Sequence, residues 1–132
     1  MKFGYTIIFV SNLEATLAFY EKAFGFKTKF LAESKLYGEL DTGSSTTLSF
    51  CMEKHVETQG IPFVKNHPKN LSAGIEIAFI TEDVSTAFQK AVDSGATPIK
   101  GPTKTHWGQT VAYVRDLNGV LVELCSPIGI TK

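Results

Sequence analysis

Cysteine and histidine are scarce in this chain of 132 residues, with two and three copies respectively. Two cysteines cannot build the disulfide framework on which small secreted domains depend, so the composition fits a reducing, cytoplasmic compartment. A reactive thiol needs an electropositive setting, and no Lys, Arg or His near Cys51 or Cys125 in sequence provides one. We therefore expect both cysteines to be small buried hydrophobic residues.

The chain also lacks an excess of charge of either sign and lacks long apolar runs. Thirteen basic residues balance thirteen acidic ones, so no basic field is available to hold nucleic acid or a membrane surface. No apolar run approaches the length of a membrane span, and no signal-peptide pattern opens the sequence. With 43% hydrophobic and 20% charged residues, the composition is that of one soluble globular domain. We expect no nucleic-acid or membrane partner.

Several motifs that are typical of a particular enzyme class are missing from the sequence. The sequence contains no P-loop, no GxGxxG, no CxxC, no GxSxG and no HExxH pattern. Nucleotide-binding, dithiol-redox, serine-hydrolase and zinc-protease functions therefore have no support. What remains is a protein that acts on a small molecule or on another protein.

The clearest positive feature is an internal repeat. The segments "FVSNLEATLAFYEKAFGF" (9–26) and "FITEDVSTAFQKAVDSGA" (79–96) each run from an apolar strand through a polar cap into a helix that glycine closes. Ser11 and Glu14 have the spacing of a capping box in the first segment, and Asp83 is the predicted cap in the second. The two halves of the chain therefore predict the same local structure.

Three predicted strands follow each helix, with tight-turn sequences "DTGSS" and "DLNG" between the last two of each set. The predicted strands are roughly 27–32, 36–41 and 46–52, then 97–100, 109–115 and 120–126. This order predicts an α+β fold of two βαβββ modules. The predicted boundaries are module 1 at about 1–53, an irregular surface linker at about 54–72, and module 2 at about 73–132.

Two carboxylates stand inside the apolar strand sequences. Glu76 lies in "AGIEIAFI" (73–80) and Glu123 in "NGVLVELCSP" (118–127). Burying an ionised carboxylate is costly unless it is paired, hydrogen-bonded or neutralised by a pKa shift. Each glutamate is therefore expected to have a partner, a ligand or a trapped water.

The two repeat segments, and above all "WGQTVAYVRDLNGVLVEL" (107–124), resemble the glyoxalase / bleomycin-resistance / extradiol-dioxygenase family, the vicinal oxygen chelate superfamily. The resemblance covers nearly the whole chain. It implies that the two modules line a cup with curled mixed sheets, often across the interface of a homodimer. It also implies that the side chains of Glu76 and Glu123 point into one cup.

The resemblance further implies four cup positions that hold metal ligands in metal-dependent relatives, here Tyr5, Ser49, Glu76 and Glu123. Only Glu123 keeps the usual residue type. The two histidines and one carboxylate that bind ferrous iron in extradiol dioxygenases are not present at these positions. Zinc and nickel sites of the glyoxalase type prefer imidazole nitrogen, which these four residues do not supply. We expect no cofactor; the alternative is a weakly bound Mg²⁺ or Mn²⁺ held by Glu76 and Glu123.

The glutamates can be interpreted in two ways. They form a functional pair, which binds ligand donors or transfers protons, or they are structural residues hydrogen-bonded to Tyr5, Ser49 and water. By resemblance, the loop "KTHWGQT" lies at the cup mouth. Trp107 there would either stack on a planar ligand, with His106 and Gln109 as hydrogen-bond partners, or pack in the core or a dimer interface.

Three further polar residues carry expectations, His55, His67 and Arg115. His55 and His67 in the linker are expected to be solvated. Arg115 would either anchor an anionic group or pair with a neighbour such as Asp116.

The sequence thus predicts a protein that holds a small organic ligand in the cup without a metal, resembling bleomycin-resistance proteins. The alternative is a metal-assisted lyase or isomerase resembling glyoxalase I, with Glu123 and Glu76 as catalytic residues. A third hypothesis is a module with a vestigial cup that acts through protein contacts.

Overall fold

The computed structural model of the protein describes residues 1–129. The chain divides into two units, unit 1 (Met1–Asn66) and unit 2 (His67–Lys132). The last three positions of the predicted second module, 130–132, lie outside the described residues.

Each unit repeats one order of elements. Unit 1 contains β1 (Tyr5–Val10), α1 (Leu13–Phe24), β2 (Thr28–Leu31), β3 (Tyr37–Leu40), β4 (Thr47–Met52) and α2 (Glu53–Thr58). Unit 2 contains β5 (Glu76–Ile80), α3 (Val84–Asp93), β6 (Thr97–Lys104), β7 (Thr110–Arg115) and β8 (Leu121–Cys125). The predicted βαβββ order is therefore present twice.

Both units build a four-stranded mixed sheet with the same topology. The strand orders are β1-β4-β3-β2 and β5-β8-β7-β6. The first strand of each unit pairs in parallel with the last, and the remaining pairs are antiparallel. The predicted α+β fold class is confirmed. In the part of the chain that the structure describes, no helix is both long and apolar enough to cross a membrane.

The predicted N-terminal cap of α3 is confirmed, whereas the predicted cap of α1 is wrong. Asp83 caps α3 as predicted, and its Oδ1 accepts a hydrogen bond from the Thr86 N–H at 3.0 Å. The predicted capping box of Ser11 and Glu14 is wrong, because α1 begins one residue later. Asn12 is the cap, and its side-chain oxygen accepts from the Ala15 N–H at 3.0 Å.

Part of the predicted irregular linker at 54–72 is ordered as the short helix α2. Glu53 and Val56 are buried on its inner side, 7% and 4% exposed, and α2 packs on β4 and β1. Six residues are too few to show a helical period in a sequence window, which explains the miss. Farther along, Asn66 Nδ2 donates to the carbonyl of Phe9 at 3.2 Å, and the Phe9 and Phe63 rings meet edge to face at 5.0 Å.

The helices cover one face of each sheet. In unit 1, α1 lies over β3 and β4, where Gly38 leaves room for Leu17 and the side chains of Leu40 and Phe50 are 1% and 0% exposed. In unit 2, α3 packs against β6, β7 and β8. Because side chains alternate along a strand, the residues between these core positions belong to the opposite face. We call the faces opposite α1 and α3 the open faces of units 1 and 2.

Candidate functional site

Glu76 and Glu123 meet on the open face of unit 2. The parallel pairing of β5 with β8 places Ala78 beside Glu123, so Glu76 lies two residues along from that partner on the same face. A side-chain hydrogen bond joins the two carboxyl groups. The structure therefore brings together the two glutamates on which the sequence interpretation centred.

The contact changes the protonation of Glu76. Its pKa is raised from 4.5 to about 7, first by the hydrogen bond to Glu123, then by burial and by the charge of Glu123. Two carboxyl groups at hydrogen-bond distance share a proton that belongs to the pair rather than to either residue. Near neutral pH the pair therefore exchanges between a singly protonated and a fully ionised state.

Tyr113 is a third member of this cluster, which sequence reasoning missed. It lies opposite Glu123 in the β7–β8 hairpin, and its hydroxyl donates to Glu123 Oε1 at 3.2 Å. Burial, and then the charge of Glu123, raise the pKa of the Tyr113 phenol. The "DLNG" turn did not show this pair, because Val120 also belongs to the connection; a four-residue turn at 116–119 would have placed Tyr113 opposite Val122.

Lys100 continues the same row onto β6. A register shift between Pro98 and Lys100 places Lys100 opposite Tyr113. The row across the open face of unit 2 is therefore Ala78, Glu123, Tyr113 and Lys100. Because a bulge is not visible in a sequence pattern, Lys100 could not be placed in this row beforehand.

Cys125 and Cys51 are both free and buried, as predicted. Burial raises the pKa of each thiol, and for Cys125 the charge of Glu123 raises it further. Neither cysteine is thus activated as a nucleophile.

The predicted mouth loop turns between β6 and β7. Trp107 is 58% exposed, so it does not cap the core of its unit. Its Nε1–H donates to Gln109 Oε1 at 2.8 Å, and Gln109 Nε2 in turn donates to the Ser126 carbonyl at 2.9 Å. His106 meets the indole edge to face at 4.7 Å. Gln109 therefore positions the indole, and its amide is already engaged on both sides.

The side chain of Arg115 is engaged by backbone carbonyl groups. Its guanidinium donates to backbone carbonyls of the segment that opens unit 2, at His67, Pro68 and Asn70, and its Nε donates to the Gly119 carbonyl. Asp116 accepts from the backbone N–H groups of Asn118 and Val120 in the following turn. Arg115 therefore ties the segment 67–70 to the β7–β8 turn, and we call this arrangement the Arg115 clamp. His55 is exposed as predicted, and His67 Nδ1 accepts from the Lys69 N–H at 3.1 Å.

Unit 1 places Tyr5 and Ser49 at the positions that Glu76 and Glu123 occupy in unit 2. Ile7 pairs with Ser49 as Ala78 pairs with Glu123, and Tyr5 precedes Ile7 by two residues. Tyr5 is 58% exposed, whereas Ser49 is buried and donates to the Thr6 carbonyl at 3.3 Å. The equivalence assumed from the repeat is thus reproduced by the strand register.

The donors on the open face of unit 2 do not match a zinc or nickel site. Glu76, Glu123 and Tyr113 supply oxygen, the pKa of the neighbouring Cys125 thiol is raised, and a cation would have to displace the proton that the glutamates share. Among residues 1–129 no three His, Cys, Asp or Glu side chains are grouped so as to hold a metal ion.

A family model for the Glyoxalase/Bleomycin resistance protein/Dioxygenase superfamily matches residues 2–124. The chain therefore belongs to this superfamily, a class of proteins built from paired βαβββ modules. A comparison with curated protein sequences finds no match.

Solved structures share the fold at low identity. A glyoxalase-related enzyme from Fulvimarina pelagi is 16% identical, with a TM-score of 0.81 over 96% of this chain and 88% of that one. A family member from Burkholderia phytofirmans PsJN is 23% identical, with a TM-score of 0.74 over 93% and 96%. Another from Sphaerobacter thermophilus is 22% identical, with a TM-score of 0.70 over 96% and 98%. These similarities show the fold, whereas the reaction or ligand depends on the site.

The raised pKa of Glu76 predicts how the stability of the fold responds to pH. A carboxyl whose pKa rises on folding stabilises the fold fully below its ordinary 4.5, and that contribution is lost as the pH rises through about 7. Since Glu76 is largely solvent-exposed, we expect the loss between pH 5 and 8 to be about 1 kcal/mol after screening. Urea unfolding at a series of pH values measures it.

The Glu76→Gln variant should flatten this profile and be the more stable protein at pH 8. Glu82→Gln, in the exposed turn before α3, removes the same charge and should keep the wild-type slope. An unchanged slope in Glu76→Gln would show that the pair does not hold the proton.

Proposed function

We propose that the protein binds a small organic ligand through an amine that docks on the Glu76–Glu123 pair, without a metal. The observation that carries this proposal is the hydrogen-bonded carboxyl pair on the open face of unit 2, with one proton exchangeable near pH 7. A protonated amine offers N–H donors and positive charge, which replace the shared proton and neutralise the carboxylates.

The surroundings of the pair favour an amine with an apolar body. Ile80 lies on the same face of β5 and is 72% exposed. Tyr113 and Lys100 extend the polar row toward the other edge of the sheet. Small-molecule sites commonly combine an apolar lining with a few convergent polar groups that orient the ligand.

The proposal is tested by thermal shifts at pH 8 with 2-phenylethylamine and its neutral counterpart 2-phenylethanol, each in EDTA and separately with Mg²⁺ or Mn²⁺. A ligand that binds only the folded state raises the melting temperature by mass action. We expect the amine to stabilise the protein in EDTA and the alcohol to have little effect. Equal shifts for both compounds, or stabilisation that requires the divalent ion, would reject metal-free amine binding.

A second candidate is acid–base chemistry, as in a lyase or isomerase. Glu76 supports it, since a carboxyl with a pKa near 7 can take up and return a proton at neutral pH. The discriminating experiment is exchange of substrate carbon-bound hydrogen with ²H₂O, which a binding protein would not catalyse. The predicted homodimer and cytoplasmic location stay predictions.

A further inference from the structure

The open face of unit 1 carries a carboxylate among aromatic rings. Strand pairing places Ile7, Ser49, Glu39 and Phe30 in one row across the sheet, on the face opposite α1. Tyr37 is two residues before Glu39 on the same face, and its hydroxyl donates to Glu39 Oε2 at 2.7 Å. None of the residues to which sequence reasoning pointed lies at the centre of this group, which is Glu39.

A bulge determines what faces Glu39. Thr28 pairs with Leu40, but the register then shifts, so that Phe30 rather than Lys29 lies opposite Glu39. Without the bulge, regular pairing would place a lysine opposite the carboxylate. The ring of Phe30 lies 6.4 Å from that of Tyr37, centroid to centroid, and is tilted by 53°. The bulge therefore gives the carboxylate an aromatic neighbour in place of a cationic one.

Glu39 has no cationic partner in the part of the chain that the structure describes. Lys35 pairs with Glu14 and Lys65 pairs with Glu57. Phe30 and Tyr5 are 51% and 58% exposed, so aromatic surface is accessible on either side of the row. The charge of Glu39 and the faces of these rings both attract a cation that can give up its water.

We propose that unit 1 holds a second binding site, in which Glu39, Phe30 and Tyr37, flanked by Tyr5, bind an organic cation bearing an alkylated ammonium group. An alkylated ammonium has few or no N–H donors, so ring faces and one carboxylate suit it better than a pair of carboxyl groups does. A metal cation or a strongly hydrated one would gain little from the rings.

The equivalent row of unit 2 shows that this chemistry is specific to unit 1. The same register shift occurs there, yet Lys100 stands where unit 1 has Phe30, and Tyr113 stands where unit 1 has Glu39. Unit 2 therefore places a cation at the position where unit 1 places a ring. The second site does not depend on amine binding at Glu76 and Glu123, and each can fail without the other.

The test is an NMR titration of the full ¹⁵N-labelled chain with choline at constant ionic strength. The neutral isostere 3,3-dimethylbutan-1-ol, which replaces the quaternary nitrogen by carbon, is the matched control ligand. We expect shifts at β2, β3 and β4, and an affinity for choline about tenfold above that for the isostere. Phe30→Leu and Glu39→Gln should each weaken choline binding about fivefold or more.

Two control variants separate this site from general electrostatics. Glu21→Gln removes a charge from α1, which packs on the other face of the same sheet, and Glu82→Gln removes one from the exposed turn before α3 in unit 2. Both should bind choline as the wild-type chain does, and all variants should keep dispersed spectra. Equal affinity for the isostere, an equal loss in Glu21→Gln, or shifts confined to unit 2 would overturn the proposal.

Discussion

Replacing Gly119 by alanine is expected to lower the free energy of unfolding by about 3 kcal/mol, because two penalties add at one position. Gly119 has a φ of +86°, a left-handed conformation that costs an L side chain about 1 kcal/mol. A Cβ there would also lie 2.7 Å from the carbonyl oxygen of His67 and would collide with the guanidinium of Arg115.

The second penalty is the larger one, because the obstacles cannot move independently. Arg115 holds the turn at His67, Pro68 and Asn70 through their carbonyls, and it also binds the carbonyl of Gly119 itself. Shifting the guanidinium to accommodate a methyl group would loosen several hydrogen bonds to a charged donor, each worth about 1.5–3 kcal/mol.

Urea denaturation followed by far-UV circular dichroism measures the loss, with Gly74→Ala as the matched control. Gly74 lies in the same unit, has no positive φ, and an added Cβ would meet nothing within 4 Å. The control should stay within about 0.5 kcal/mol of the wild-type chain. If the two variants were equally stable, the Arg115 clamp would not constrain the turn.

The affinity of the Glu76–Glu123 pair for an aromatic amine is expected to rise as the pH increases from 6 to 8. The pKa of Glu76 near 7 means that the fully ionised pair, which attracts a cation most strongly, forms over this interval. At pH 8, Glu76→Gln and Glu123→Gln should each weaken binding of 2-phenylethylamine about tenfold, because one of two charges is removed. Isothermal titration calorimetry at several pH values measures both effects.

The dependence of amine affinity on pH shows whether binding depends on the charge of the carboxyl pair or only on the shape of the site. Each glutamine variant should have a nearly flat profile between pH 6 and 8, since it lacks the carboxyl pair that shares the proton. Tyr113→Phe removes the hydroxyl donor to Glu123 but leaves both carboxyl groups, so it should retain the slope. A slope that persists in both glutamine variants would place the titrating group elsewhere.

The main features of the fold were predictable because they depend on local rules. The polar caps, closing glycines and tight turns recur at matching positions of the two halves, and they predicted the repeated βαβββ order that the structure shows. The cap at Asn12 instead of Ser11 and the short helix α2 were missed, since both depend on a one-residue shift or a single helical turn.

The pairing of Glu76 with Glu123 was anticipated in part. Strand alternation places each glutamate on a definite face, but it does not say that their side chains will be joined by a hydrogen bond. That contact follows from the parallel pairing of β5 with β8, two strands separated by most of unit 2. Tyr113 could not be placed opposite Glu123 beforehand, because the register of the hairpin depends on Val120 joining the "DLNG" turn in the connection.

The sequence by itself determined the repeated modules, the buried free thiols and the two conspicuous glutamates, because hydrophobic period, caps and turns act over a few residues. The superfamily was identified from the resemblance of its motifs, and the family model agrees. Tertiary structure alone decided the use of Arg115 as a clamp and the two bulges that place Phe30 opposite Glu39 and Lys100 opposite Tyr113. Register between distant strands is a property of the whole sheet. A single inserted residue changes which side chains meet without altering the pattern by which the strand is recognised.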